Sequence, residues 1–404
     1  MDRTRCRVLL TVLTPLMATL SGTSAMLAAD PADSSAAKPA QVPAANAAAL
    51  PNENWPLFRG GTLAQGISAT DLPVQPEVIW KRSFENESFE GTPIIHDGVI
   101  YIGGLDGPVY ALDLATGKTL WTFNTEAGVK AAPAYRDGKI YVGDLNGRFH
   151  CLDAATGKSL WGYETDAEID SGANFFGDRV LFGSQDATLY CLEAANGKEV
   201  WKYQISDQIR CFPTIVEDRC FVAGCDGELH VIGLEKGESL GTVPIESPTG
   251  CTPAVVGNIA YFGTEGETFL AVDWKKLEVL WKYRHKRKRF AYRASAAVAK
   301  HAVIVGNQGK MVIALDPASG KELWVFNTKT GIEASPVITA SVEHPAGVAY
   351  TGTTRGQLLG ISVKDGKQVW EYEAGGGFVG SPAVASKRLV IGNTDGTVYC
   401  FGAN

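Results

Sequence analysis

Tryptophan recurs along this chain at Trp80, Trp121, Trp161, Trp201, Trp281, Trp324 and Trp370, in steps of 41, 40, 40, 80, 43 and 46 residues. A sustained period near 40 marks a repeat architecture, in which each unit buries its apolar face only against its neighbours. The step of 80 has Gly241 at its middle, in Glu238-Ser239-Leu240-Gly241, where other units read Lys-Ser-Leu-Trp or Lys-Glu-Val-Trp. One unit has therefore lost its tryptophan.

The units open on a small residue at Gly91, Ala131, Ser171, Cys211, Cys251, Ala294, Ala334 and Gly380, with proline two residues on except at Ala173 and Ala296. Short β-branched and aromatic runs such as Val99-Ile100-Tyr101-Ile102 and Val109-Tyr110-Ala111-Leu112 follow, separated by Asp106-Gly107. That dipeptide suits the positive φ of a tight hairpin, and it returns as Asn146-Gly147, Asp226-Gly227 and Asp395-Gly396. Four strands in 40 residues, repeated eight times, predict an all-β fold: an eight-bladed β-propeller of four-stranded antiparallel blades. The last unit ends after its third strand, while Val78-Ile79-Trp80-Lys81 has the sequence of an orphan fourth. The N-terminal strand is expected to complete the last blade and close the ring, whereas a stacked solenoid leaves that strand without a place.

The start of the chain carries Arg3, Arg5 and Arg7, then an apolar run from Val8 to Leu20 and small residues from Ser21 to Ala29. This is the layout of a secretory signal peptide over residues 1–29, with cleavage between Ala25 and Asp30, and its apolar run is shorter than the roughly 20 residues of a spanning helix. Residues 30–54 are rich in Ala and Pro and read as a linker before a folded part over residues 55–404. The formal charge of −7 argues against general nucleic-acid binding. An exported protein of the periplasm or cell envelope is expected, with no transmembrane span in the mature chain. Seven cysteines remain beyond the leader, an odd number with no C-x-x-C pair, and Cys211 and Cys251 occupy matching places on adjacent units.

The repeated form Ala-Leu-Asp-x-x-Thr-Gly-Lys-x-x-Trp, seen at Ala111 to Trp121, resembles the blade repeat of the quinoprotein family. That family includes the pyrroloquinoline-quinone dehydrogenases and the outer-membrane assembly factor BamB. The resemblance covers Val78 to Asn404 and implies that the tryptophans dock between blades. Trp55-Pro56-Leu57-Phe58-Arg59-Gly60 resembles a lead-in found before such propellers. BamB is tethered through a lipidated cysteine, yet no cysteine lies between Cys6 and Cys151. The dehydrogenases carry adjacent cysteines beside their cofactor, which this chain lacks, and no motif places their calcium ligands. These departures point to a non-catalytic, BamB-like envelope scaffold without a cofactor, not a catalyst. The alternative is an alcohol or sugar dehydrogenase using pyrroloquinoline quinone with calcium.

Some motifs mimic chemistry. Gly117-Lys118-Thr119 and Gly157-Lys158-Ser159 resemble the end of a phosphate-binding loop, but Leu112 and Leu152 stand where the earlier glycine belongs, so they read as turns. Gly375 to Gly380 has dinucleotide-fold glycine spacing but precedes a strand. His150 and His230 share a third-strand slot with Tyr110 and read as hydrogen-bonded strand residues. Two features stand above this background. Before the first strands lie Glu90, Lys130, Asp170, Arg210, Gly250, Arg293, Glu333 and Val379, expected to ring one mouth of the channel and either to pair across blade seams or to form a polar binding site. Lys282 to Arg293 holds seven Lys or Arg and no acid, and Lys286, Arg287, Lys288 and Arg289 are its tip. An envelope protein or anionic surface is the expected partner of this loop and ring.

Overall fold

A computed structural model describes residues 54–341 and 343–403; the expected leader, and the expected linker but for Asn54, lie outside the described residues. Eight sheets, each with four antiparallel blade strands, follow one another around a channel. In blade 1 the strands are Ile94–His96, Val99–Gly103, Pro108–Asp113 and Thr119–Asn124, from the channel outward. The second strand is buried at every residue, because both faces of the sheet pack on neighbouring blades, and this is why its sequence is a continuous apolar run.

Outer strands are half-exposed and bulged. In all eight blades the pairing of third and outer strand skips the residue before the tryptophan, or before Gly241 in blade 4, as at Ser159/Trp161. The skipped side chain turns outward, leaving Leu160 49% exposed, and the tryptophan turns inward. Six tryptophans then donate from Nε1 to a carbonyl of the next blade, Trp121 to Ala154 at 2.9 Å and Trp281 to Pro317 at 3.0 Å among them. Their rings lie on the glycine of that blade's turn between third and outer strand, Thr-Gly-Lys in blades 1 and 2: a Cβ on Gly157 would sit 2.6 Å from Trp121, and its φ is +69°. Asp153 holds the turn by accepting from the amide and hydroxyl of Thr156. The Gly-Lys triplets are thus docking platforms.

Where Gly241 replaces tryptophan, the neighbouring turn has changed with it. Leu277 stands in the glycine slot with φ +57°, and its Cδ1 lies 2.3 Å from where a Gly241 Cβ would be. A leucine thus reaches from blade 5 into the space that the tryptophan fills elsewhere. Leu277→Ala is expected to cost about 1–2 kcal/mol and Trp121→Ala about 3–5 kcal/mol, read by denaturant melts, because the indole is the larger and more buried group.

Closure follows the expected scheme. Glu77–Ser83 pairs antiparallel with Thr397–Gly402 and forms the outer strand of blade 8 beside Arg388–Gly392 and Ala383–Ala385. Trp80 docks on blade 1 through Leu114. Residues 55–68 do something the repeat does not encode. The carbonyls of Trp55, Pro56, Thr62, Leu63, Gln65 and Gly66 accept from the amides of Ile95, Tyr135, Ile215, Val255, Val298 and Ile338, the middle residues of six inner strands. Asn174 reaches Thr62 and Ser68 reaches Val384, so this segment touches all eight blades and plugs the channel from below.

Candidate functional site

All eight expected ring positions line one well of about 630 Å³ at the other end of the inner strands, with Phe58 of the plug contributing to its lining. Because the plug crosses the channel, the well opens only at the ring. Phe58 packs against Phe212 at 5.8 Å between ring centroids, an apolar patch under polar walls.

Charges in the ring meet across seams. Lys130 lies 3.3 Å from Glu90 on blade 1, and Arg293 lies 3.1 Å from Glu265 and 3.5 Å from Glu333 on blade 7. Blades 3 and 4 differ. Arg210 donates to Gln185 Oε1 at 3.2 Å, and Gln185 Nε2 in turn donates to Asp170 Oδ2 at 3.2 Å, so guanidinium and carboxylate do not touch. Asp170 Oδ1 is left buried with no hydrogen-bond partner. Burial pushes the Asp170 carboxyl up to about 6, and the attraction of Arg210 and Lys130 offsets only part of that. A buried, half-satisfied carboxylate that titrates near neutrality is suited to accept a proton.

Just below the charges runs a girdle of hydroxyls. The amides of Phe212, Thr252, Ser295, Ser335 and Ser381 donate to the side-chain oxygens of Thr252, Ser295, Ser335, Ser381 and Thr92, each from one blade to the next, at 2.9–3.0 Å. Beneath it, Arg59 of the plug is 2% exposed, and its Nη2 donates to Ala296 O at 2.9 Å while Nε and Nη1 have no partner. Burial pulls its pKa down to about 9, so it stays cationic at neutral pH. The girdle, the plug and the isolation of Asp170 were missed in sequence. The signals available were the hydroxyl at the second position of most units and the lead-in around Phe58.

The remaining candidates separate. His150 Nε2 lies 2.8 Å from Asp144 Oδ2 and His230 Nε2 lies 2.9 Å from Asp226 Oδ2, buried pairs at hairpin turns where Tyr190 and Asp186 form the same contact in blade 3. Cys211 and Cys251 are free, buried thiols, pushed up to about 12 by burial. Among the described residues no group of three or more His, Cys, Asp or Glu is placed to hold a metal, and no helix is long and apolar enough to cross a membrane. Lys286, Arg287, Lys288 and Arg289 are exposed and lie outside the well, on the loop that ends at Arg293 on its rim. Among the described residues none of the four forms an ion pair; Lys288 Nζ donates to Asn327 at 3.1 Å.

Comparisons with known proteins bear on this site. A curated relative, lupanine 17-hydroxylase [cytochrome c] of a Pseudomonas species, is 37% identical over 93 residues, 22% of this chain and 13% of that protein. The 1-butanol dehydrogenase (cytochrome c) of Thauera butanivorans is 34% identical over 130 residues, 30% of this chain and 19% of that protein. This chain thus aligns with less than a fifth of the length of either. Among solved structures, the quinohemoprotein alcohol dehydrogenase of Comamonas testosteroni superposes with a TM-score of 0.73 at 14% identity, over 87% of this chain and 80% of that one. BamB of Moraxella catarrhalis superposes at 0.69 and 17% identity, over 81% of this chain and all of that one. These structures share the fold. The curated relatives are enzymes by name, and they overturn the expectation of a non-catalytic scaffold that needs no cofactor. The family described as outer membrane protein assembly factor BamB matches residues 65–169, 145–240, 212–331 and 310–404, and this chain belongs to that family of quinoprotein-like propellers.

Proposed function

We propose that this chain forms the propeller of an exported, quinone-dependent oxidoreductase that oxidises a hydroxyl compound inside the blind well. The observation that carries this reading is Asp170, a carboxylate in the wall of a polar cavity that burial pushes up to about 6. Alcohol-oxidising relatives that share the blade repeat support it.

The lining offers pyrroloquinoline quinone, a planar tricarboxylate, hydrogen-bond donors rather than net positive charge, since five acids there face Lys130, Arg210 and Arg293. Arg293 stands at the rim on blade 6, and Thr252, Ser295, Ser335 and Ser381 line the well with their own hydroxyl protons unused by the girdle. The lining does not fit a divalent metal held by side-chain clusters, so calcium is given no place here. When bound, such a quinone supplies a two-electron acceptor. The chain's own residues do the rest: the plug keeps solvent from entering below, the Phe58 ring offers an apolar surface to the substrate, and the Asp170 carboxylate accepts the hydroxyl proton.

Titration of purified protein with the quinone, with and without calcium, tests this. Saturable change in the quinone absorbance and a rise in melting temperature are expected, the bound state gaining about 2.7 kcal/mol at a hundredfold excess over Kd. Absence of both signals under both conditions ends the cofactor reading.

A partner protein comes nearest to the contents of the well at its mouth, and the cationic loop ends at that rim. Lys286 to Arg289 hold four unpaired charges on a chain whose remainder is acidic, and Phe290 beside them is 45% exposed. A partner with an acidic face is the matching acceptor, since focused charge raises its rate of encounter. Reversing the four cations to Glu is expected to slow reduction of an acidic carrier protein by about tenfold or more at low salt, with no change in melting temperature. Stopped-flow mixing at low and high salt reads this; equal rates for both proteins at low salt remove the loop from function.

A further inference from the structure

The walls and the floor of the well come from different parts of the chain. The blades line it with charges at the rim and with hydroxyls or small side chains below, Thr252, Ser295, Ala132 and Gly172 among them. Two aromatic residues belong to the lining, Phe58 and Phe212, and Phe212 is only 2% exposed. Phe58 is half-buried, and it is the one lining residue that the plug contributes. Phe212 stands against it with its ring tilted by 52°, so the accessible apolar surface of the floor is the Phe58 ring. That ring is fixed from both sides. Its neighbours Leu57 and Arg59 are buried, which leaves Phe58 between them as the side chain toward the well. The carbonyl of Pro56 accepts from Tyr135 at 2.8 Å, that of Leu57 from Gly60 at 2.9 Å and that of Arg59 from Gly66 at 3.1 Å. Arg59 has a φ of +61°, a left-handed conformation that a side-chain-bearing residue keeps only where packing enforces it, and its Nη2 bond to Ala296 holds it there. A floor pinned at these points does not sink under a ligand.

We infer that Phe58 is the specificity-determining residue of the well: it sets how long an apolar tail the substrate carries, and the floor it forms rejects an anionic tail. The inference rests on the reading of the well as the place where a hydroxyl compound is oxidised. The hydroxyl end of such a compound belongs among the charges of the rim, where hydrogen-bond partners replace water. Its tail belongs on the apolar ring below, where burial removes hydrocarbon from water. An anionic tail is disfavoured twice. The lining holds five carboxylates against three cations, and a carboxylate set on a phenyl ring loses its water without gaining a donor. Tail length is thereby governed by one side chain of the lead-in, outside the repeat, and it can change without disturbing a blade.

The test uses the full chain without quinone and five probes, 1-propanol, 1-butanol, 1-hexanol, 1-octanol and 6-hydroxyhexanoate, read by saturation-transfer NMR. In wild type each added methylene is expected to raise affinity about fourfold until the tail meets the ring, after which a longer alcohol gains nothing. The terminal methyl is expected to take up the most saturation, because it lies on Phe58. Phe58→Ala is expected to move the limit to longer alcohols and Phe58→Trp to shorter ones, and the tryptophan variant reads the limit even where the alanine variant does not fold. 6-Hydroxyhexanoate is expected to bind wild type about tenfold or more weakly than 1-hexanol. The same chain-length limit in wild type and in every folded variant overturns the inference. So does a wild type that binds none of the alcohols, or one that prefers the hydroxyhexanoate. Since no quinone is present, a failed quinone titration with the length limit intact removes the cofactor and leaves Phe58 as the gauge, whereas quinone binding with an unmoved limit does the reverse.

Discussion

Deletion of residues 1–84 is expected to leave a chain that no longer melts cooperatively, whereas deletion of residues 1–53 leaves the melting temperature within about 2 °C of the full chain. The larger deletion removes the strand Glu77–Ser83 from blade 8, and with it the pairing to Thr397–Gly402 and the docking of Trp80 on Leu114. Loss of one buried tryptophan costs about 3–5 kcal/mol, and the strand adds its ladder, which together consume most of the roughly 5–15 kcal/mol that holds a domain folded. The deletion also leaves the outer edge of Thr397–Gly402 unpaired. Deletion of residues 1–72 separates the two contributions. It keeps the closing strand and removes the plug, whose main-chain bonds to six blades contribute about 1 kcal/mol each at most. That protein is expected to melt cooperatively at a lower temperature, and its well becomes a through-channel. Equal melting of the 1–53 and 1–84 deletions, followed by calorimetry, refutes the closure.

What the repeat made legible is what depends on period and turn chemistry. Tryptophan spacing, Asp-Gly hairpins and the orphan strand at Val78 located the blades, and the seven-residue path from Glu77 to Ser83 lies where that reasoning placed it. Features that join different repeats through space were not legible. Leu277 compensates Gly241 across 36 residues, and neither substitution signals the other without the docking geometry. The ring residues were identifiable by alignment of the units, but their chemistry was not. Asp170 and Arg210 look like one more cross-seam pair, and only the interposed Gln185, reached from a different turn of blade 3, keeps them apart. The plug's bonds to the inner strands are made by its main-chain carbonyls, which side-chain patterns do not report. The functional class was misjudged for a related reason. Missing adjacent cysteines spoke against one known way of holding a quinone, yet the well carries a girdle of hydroxyls that supplies donors of another kind.

Asp170→Asn is expected to lower turnover of quinone-loaded protein by about 10²–10⁴-fold, the range for loss of a positioned base, and to raise stability at the same time. The folded-state carboxyl titrates at about 6 against a reference of 3.8. The folded protein therefore binds more protons than the unfolded chain between these values, and its stability falls as pH rises through that window. Above about pH 6 the whole cost of a buried, half-satisfied carboxylate is present, roughly 2–3 kcal/mol from a shift of about two units. Asparagine does not ionise, so the variant is expected to be more stable than wild type by about that amount near pH 8 and to show no gain near pH 4. Wild-type turnover is expected to fall as pH drops below about 6, where Asp170 takes up its proton before the substrate offers one. Melting curves at both pH values and a pH–rate profile with a dye as electron acceptor read the two effects separately. A carboxylate placed only to brace blades 3 and 4 predicts the opposite pairing, a less stable variant with turnover intact, and that outcome would return Asp170 to the ring of structural charges. Gain of stability with loss of turnover marks a group kept at a folding cost because the chemistry needs it.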